Sequence, residues 1–218
     1  KKLEQDINPL KPSDDFSKEE INRLKPHAGI NQNLLRKRAE MLETQARQLR
    51  WLAATVHERA TQDALTRELD QDEPKIDLLR AALLIARLDN GEIEIEHYLK
   101  TVDGMAATIQ SALKPKATEK DKLEAVGRYM FEQSGFHGSR GDYYNRANSY
   151  LNEVIDDREG IPITLAVLYM EIVNRLGIPL QGLPLPGHFA VGKIDDGKPT
   201  SIIDVYDEAK VISRKEAE

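Results

Sequence analysis

Three stretches in the last third of the chain carry residue types suited to acyl-transfer chemistry. Gly160-Ile161-Pro162-Ile163-Thr164 opens an apolar run with helical spacing, and His188 and Asp204 follow on two strand-like segments. A helix amino-terminus stabilises a thiolate, an imidazole takes the thiol proton, and a carboxylate orients the imidazole and favours its charged form. The sulfur is missing from this set: the 218 residues contain no cysteine. Remove it and the base has nothing to activate. One hydroxyl, that of Thr164, lies within a turn of the helix start. It is a weak nucleophile candidate, because residues two apart on a helix lie about 200° apart around the axis. Its hydroxyl is better suited to capping or bonding back into the helix.

The His and Asp can be brought together by simple strand geometry. Asp195-Asp196-Gly197 between the two segments is turn chemistry. An antiparallel hairpin centred on Asp196 sets His188 directly opposite Asp204, with Cβ atoms about 5 Å apart. Such a pair has two readings. It is a buried polar pair kept because unpairing costs about 1–3 kcal/mol, or it is a ligand-binding or switching group. A metal site is not expected, since the pair supplies only two ligands. No cofactor is expected either.

Upstream, Gly135-Phe136-His137-Gly138-Ser139-Arg140-Gly141-Asp142-Tyr143-Tyr144 is rich in glycine, aromatics and arginine. It is not a phosphate loop, because the glycine spacing is wrong and no Gly-Lys-Ser/Thr follows. Aromatic and Arg residues on loops are common in binding sites and equally common as lids over a core. The candidate binding residues are Phe136, Arg140, Tyr143 and Tyr144 of this loop, with Asn152 and His188. The loop is expected to lie over the cleft at the helix start.

These residues need elements to hold them. Pro162 suits a first helical turn, and the helix should run to about Leu176 and close at Gly177 and Pro179. It is apolar around much of its circumference, as buried helices are. Strand-like stretches follow near residues 187–194 and 200–206. Residues 17–133 read as helical. Ser17-Lys18-Glu19-Glu20 matches a capping box. Pro74 stands where a first helical position would be, ahead of Leu78 and its periodic partners, and Thr118 resembles a cap. The longest helix, about residues 34–70, carries Leu35, Ala39, Leu42, Ala46, Leu49, Ala53, Val56 and Ala60 at alternating intervals of four and three. That heptad seam has Ala at one position and Leu or Val at the other. It either packs on its own domain or mediates self-association. Trp51 and Leu52 read as core. Residues 1–16 are a polar lead-in, and residues 134–218 form the second region.

Composition narrows the function. The net charge is -6, against the basic patch expected of a nucleic-acid or anionic-membrane binder. No apolar run reaches the roughly 20 residues that cross a bilayer, so a cytoplasmic location is the default. The chain opens on Lys1 rather than Met and stops soon after the Asp strand. Residues upstream and a further strand downstream are consistent with that.

Several long motifs then match in order. Asn148-Ser149-Tyr150-Leu151-Asn152-Glu153-Val154, Arg158-Glu159-Gly160-Ile161-Pro162-Ile163-Thr164-Leu165, Arg175-Leu176-Gly177-Ile178-Pro179-Leu180 and Leu185-Pro186-Gly187-His188-Phe189 closely resemble the bacterial SirB1 family. Asp77-Leu78-Leu79-Arg80-Ala81-Ala82 and Tyr129-Met130-Phe131-Glu132-Gln133 look like that family's amino-terminal part, so the resemblance covers roughly residues 74–207. It implies a transglutaminase-like, papain-related core. Carried over, His188 and Asp204 match the active His and Asp, and the vacant Cys position falls at or next to Pro162. The family stretch after the Asp is Pro-Phe-like, where this chain has Val205-Tyr206.

The expectation is therefore an α+β protein: a helical amino-terminal half with a long helix, then a buried helix on a small antiparallel sheet. Its expected function is a non-catalytic peptide- or protein-binding or scaffold module with a vestigial His–Asp pair. The alternative is a hydrolase or acyl-transfer enzyme using the Thr164 hydroxyl or water.

Overall fold

The computed structural model describes residues 16–185, 188–195 and 198–212. The polar lead-in up to residue 15, Gly187 and the expected turn at Asp196 and Gly197 lie outside them. The chain divides into two compact units, Lys1–His57 and Glu58–Glu218.

In the first unit, α1 (Lys18–Leu24) starts at the expected capping box. The Ser17 amide donates to Glu20 Oε2 at 2.9 Å and the Glu20 amide donates to Ser17 Oγ at 3.2 Å. A 3₁₀ turn at Lys25–His27 accommodates Pro26 and feeds α2 (Ala28–Leu69). Among the described residues Leu35 lies against Phe16, Ile21 and Leu24, but the rest of the seam is largely uncovered. Leu42, Leu49 and Val56 are 49%, 67% and 60% exposed, and Trp51 and Leu52, expected in the core, are also exposed. Heptad spacing places these side chains on one face but does not supply a surface to cover them.

The second unit contains the last turns of α2, where Ala64 and Leu65 pack on its core. It continues with α3 (Leu78–Asp89), α4 (Ile95–Ala112), α5 (Glu119–Gly127) and a π-helical turn, Arg128–Gln133. Pro74 does not start α3. It sits in a separate 3₁₀ turn, and Asp77 caps α3 by accepting the Arg80 amide at 2.9 Å. A side-chain acceptor satisfies a free N–H at the helix start, which proline cannot do. Thr118 and Asp121 form a second capping box, on α5.

The chain then makes a short parallel pairing of β1 (His137–Gly138) with β2 (Glu159–Gly160), on either side of α6 (Leu151–Asp157). α7 (Pro162–Arg175) follows as predicted, and Gly177 turns the chain at φ +82°. Leu165, Ala166, Leu168, Ile172 and Val173 of α7 are fully buried. Each large side chain so buried contributes about 1.5–3 kcal/mol. α7 packs against β4 and against α3, α4, α5 and α6, so it is the axis of this unit. It even buries a charge. Burial pushes the Glu171 carboxyl up, and Arg175, 2.8 Å away, opposes that shift.

The sheet has the order β3-β4-β5-β6, all antiparallel: β3 (Gln181–Leu185), β4 (His188–Asp195), β5 (Lys198–Asp204) and β6 (Lys210–Ile212). β4 and β5 were legible as strands. β3 was hidden by Gly182 and Pro184, which an edge strand tolerates, and β6 is three residues long. The architecture is α+β. Among the described residues no helix is long and apolar enough to cross a membrane.

Candidate functional site

Asp204 is the last residue of β5, and its carboxylate is held there by the chain that follows. Oδ1 accepts the amides of Tyr206 at 3.0 Å and Asp207 at 3.1 Å. That leaves Oδ2 free to face His188, whose Nε2 is 2.9 Å away. The oxygen lies off the line of the ring N–H, so the contact is a close polar pair without an aligned hydrogen bond. The side chains are 29% and 16% exposed, within reach of a ligand.

The two residues do not meet in the register that turn-counting predicts. Val191 pairs with Ile203, and a bulge lies between Lys193 and Ile194. Continuing that ladder sets His188 opposite Tyr206 and Asp204 opposite Ala190. The shift is two residues, so His188 and Asp204 keep the same face and meet diagonally. A one-residue slip would have put them on opposite faces.

Tyr206 fills the position directly beside the imidazole, with ring centroids 6.5 Å apart and edge to face. Its hydroxyl donates to the Ser139 carbonyl at 2.5 Å. The Ser139 amide in turn donates to the Gly160 carbonyl at 2.9 Å. A continuous set of contacts therefore runs from Asp204 and His188 through Tyr206 to the residues that open α7. Gly138 makes it possible: a Cβ there would meet Tyr206 Cε2 at 2.4 Å.

At the vacant position, Pro162 is the first residue of α7. Thr164 is 8% exposed. Its hydroxyl lies 2.8 Å from the Asn148 carbonyl, to which it donates, and accepts the Ile161 amide at 3.1 Å. The hydroxyl is thus occupied in fixing the helix start.

Residues 96–218 match the profile of the transglutaminase-like superfamily. The chain belongs to that superfamily. The match begins within α4, so helices as well as the sheet are part of the transglutaminase-like domain. A UPF0162 protein of Xylella fastidiosa is 39% identical over 127 residues, 58% of this chain and 45% of that protein. A UPF0162 protein of Vibrio cholerae is 29% identical over 120 residues, 55% of this chain and 44% of that protein. Human F-box only protein 21 is 36% identical over 85 residues, 39% of this chain and 13% of that protein. The chain thus spans less than half the length of the curated relatives it matches. No solved structure matches it.

The glycine-rich loop of this transglutaminase-like domain is split between two roles. Phe136 is not on its outer face: it is 2% exposed, with the Arg158 guanidinium 4.9 Å over its ring. Arg158 donates to the Ser134 carbonyl and caps the end of α6 in the left-handed region at φ +65°. Arg140 is exposed, and Tyr143 and Tyr144 are 44% and 94% exposed and pack edge to face on each other. The loop's far end is tied down by Asp89, which accepts from both Arg146 and the Tyr150 hydroxyl. Asn152 is 3% exposed. It is not on the loop surface and lines a separate cavity between α3, α4 and α6. Among the described residues no group of three His, Asp or Glu side chains is placed to hold a metal ion.

Tyr206, Ser139 and Gly138 are the site residues that sequence reasoning passed over. Only Gly138 left a signal, as one glycine among three in a loop of ten. What it was for depended on a ring nearly seventy residues away.

Proposed function

We propose that this transglutaminase-like domain, of the SirB1 type, is non-catalytic and binds a peptide or protein partner at the face bearing His188 and Asp204. The observation that carries the reading is an ordered imidazole–carboxylate pair in a chain without cysteine. The placement of Thr164 supports it, because a hydroxyl that already donates to one backbone carbonyl and accepts one backbone amide has no free proton for His188 to remove. The His188 side chain is 29% exposed with its Nε2 buried against Asp204, so a ligand meets the other edge of the ring, and exposed Arg140, Tyr143 and Tyr144 offer cationic and aromatic contacts on the neighbouring loop. The test is incubation with glutamine-containing peptides and amines, and separately with peptide substrates. No product is expected, while peptides selected for binding should lose affinity for His188→Ala. Robust turnover abolished by His188→Ala rejects the reading.

A second reading concerns α2 and is favoured by the exposure of its seam. A second copy docked antiparallel, with Ala46 against Leu49, also sets Ala39 against Val56, Leu42 against Ala53 and Leu35 against Ala60. Every layer then joins one large and one small side chain over about 38 Å of helix. The same register brings Glu43 to Arg50 but also Arg38 to Arg59, so the apolar layers and not the charges favour this orientation.

A further inference from the structure

α2 is held at both ends and bare between them. At its start, Leu35 lies against Phe16, Ile21 and Leu24, and Asn31 donates to the Leu24 carbonyl at 2.5 Å. At its end, Thr61 is 4% exposed, and Ala64 and Leu65 pack on the core of the second unit. From Arg36 to Val56, about six turns, every residue is exposed except Ala46 and Thr55, which are half-buried. The seam is not used even where a core is at hand. Ala60, its last member, is exposed, and so are Asp63 and Arg67, which continue its spacing.

Little within the helix holds these turns. Among the described residues no ion pair involves a side chain between Arg36 and Val56. Arg47 donates to Thr44 Oγ1 at 3.1 Å, and the Thr44 and Thr55 hydroxyls bond back to the carbonyls of Glu40 and Trp51. Back-bonding of this kind slightly weakens a helix. Glu40 and Glu43 stand three residues apart, as do Arg47 and Arg50. Residues at that spacing are neighbours, and like charges there repel. Most helical stability in proteins comes from packing a face rather than from propensity. Here the face that would pack is the uncovered seam. We propose, on the reading that the seam pairs two copies, that the turns from Arg36 to Val56 complete their helix only on pairing, so that self-association and the folding of α2 are one event. The continuous α2 is then the conformation of the paired chain. The dissociated chain keeps both anchored ends and loses the order between them. Mass action makes the helix a switch set by chain concentration.

The test is hydrogen exchange of the full chain, read by mass spectrometry over a dilution series whose monomer–dimer midpoint is set by sedimentation. Amides from Arg36 to Val56 should exchange about tenfold or more faster below the midpoint than above it, while those of α7 keep their protection. Leu49→Glu should give the fast pattern at every concentration. Leu and Glu have nearly equal helix propensity, so only the pairing is lost. A Thr44→Ala, Thr55→Ala double variant decides the coupling. Both residues lie on the side of α2 away from the seam, and alanine raises helix propensity without touching the partner copy. If the turns form on pairing, this variant tightens the dimer about tenfold or more. A dimer whose affinity it leaves unchanged, or whose dissociated chain keeps its protection from Arg36 to Val56, overturns the proposal and leaves self-association standing. A chain that stays monomeric throughout the series overturns both.

Discussion

Gly138→Ala isolates the contact that links the His188 face to the start of α7. Gly138 is in a strand and has no positive φ, so alanine meets no backbone objection there. Space is the only obstacle. The added carbon would lie 2.4, 2.7 and 2.8 Å from three carbons of the Tyr206 ring. Carbon atoms rest about 3.5–4.0 Å apart, so the ring must retreat by about 1 Å. It cannot do so freely, because its hydroxyl is anchored on the Ser139 carbonyl. Overpacking of this kind costs about 1–3 kcal/mol, and loss of the anchoring hydrogen bond adds about 0.5–1.5 kcal/mol. A total of about 2–4 kcal/mol corresponds, for a chain of this size, to a Tm lowered by on the order of 10 °C. Urea denaturation followed by far-UV circular dichroism measures it, since Trp51 is too exposed to report on this region. The decisive comparison is the same substitution in a Tyr206→Ala background. There the clash has no partner, and the cost should vanish or turn slightly favourable as the unfolded chain stiffens. A cost that persists unchanged in that background would refute the reasoning.

Thr164→Val removes the hydroxyl that joins the Ile161 amide to the Asn148 carbonyl and leaves those two only their long 3.4 Å bond to each other, so it should lower stability by about 0.5–1.5 kcal/mol. A denaturation midpoint unmoved by the change would free that hydroxyl for another role. Asp89 gives a pH-dependent prediction. The hydrogen bond from Tyr150, and then the nearby Arg146 charge, hold its carboxyl below the usual range. Its contribution to stability is therefore present above the ordinary carboxylate pKa of about 3.9 and lost as pH falls through the lower folded value. Tyr150→Phe should raise the Asp89 midpoint in carboxyl-carbon NMR and flatten the loss of stability in acid. An unchanged midpoint contradicts the assignment. For the α2 seam, sedimentation of the native chain should show dimers that Leu49→Glu abolishes. A native chain that remains monomeric at its highest attainable concentration ends that idea.

Much of this protein was legible because its signals are local. The capping boxes at Ser17 and Thr118 are satisfied by a residue three positions on. Pro162 and Gly177 bracket α7 through their own backbone preferences. Its apolar residues announced burial whatever lay around it. One expectation failed on a signal that was itself local: Asp77 rather than Pro74 starts α3, because Asp77 accepts the amide of Arg80, three positions on. Elsewhere a distant partner decided. Phe136 is a core residue because Arg158, across β1 and β2, covers its ring. The seam of α2 had the right period, but period describes one helix and says nothing of a neighbour.

The site shows the same division. The chain alone decided that a histidine and an aspartate lie on adjacent strands after an apolar helix, and that no thiol accompanies them. Both follow from residue identity and spacing. Tertiary structure decided that the two meet diagonally: the hairpin closes with Asp195 opposite Lys198, one residue off the counted register, and the bulge at Lys193 and Ile194 adds a second. It also placed Tyr206 between them and the start of α7, and left Asn152 Oδ1 without a donor among the described residues. Register, ring packing and unpaired oxygens are set by atoms far apart in sequence, and no local preference encodes them.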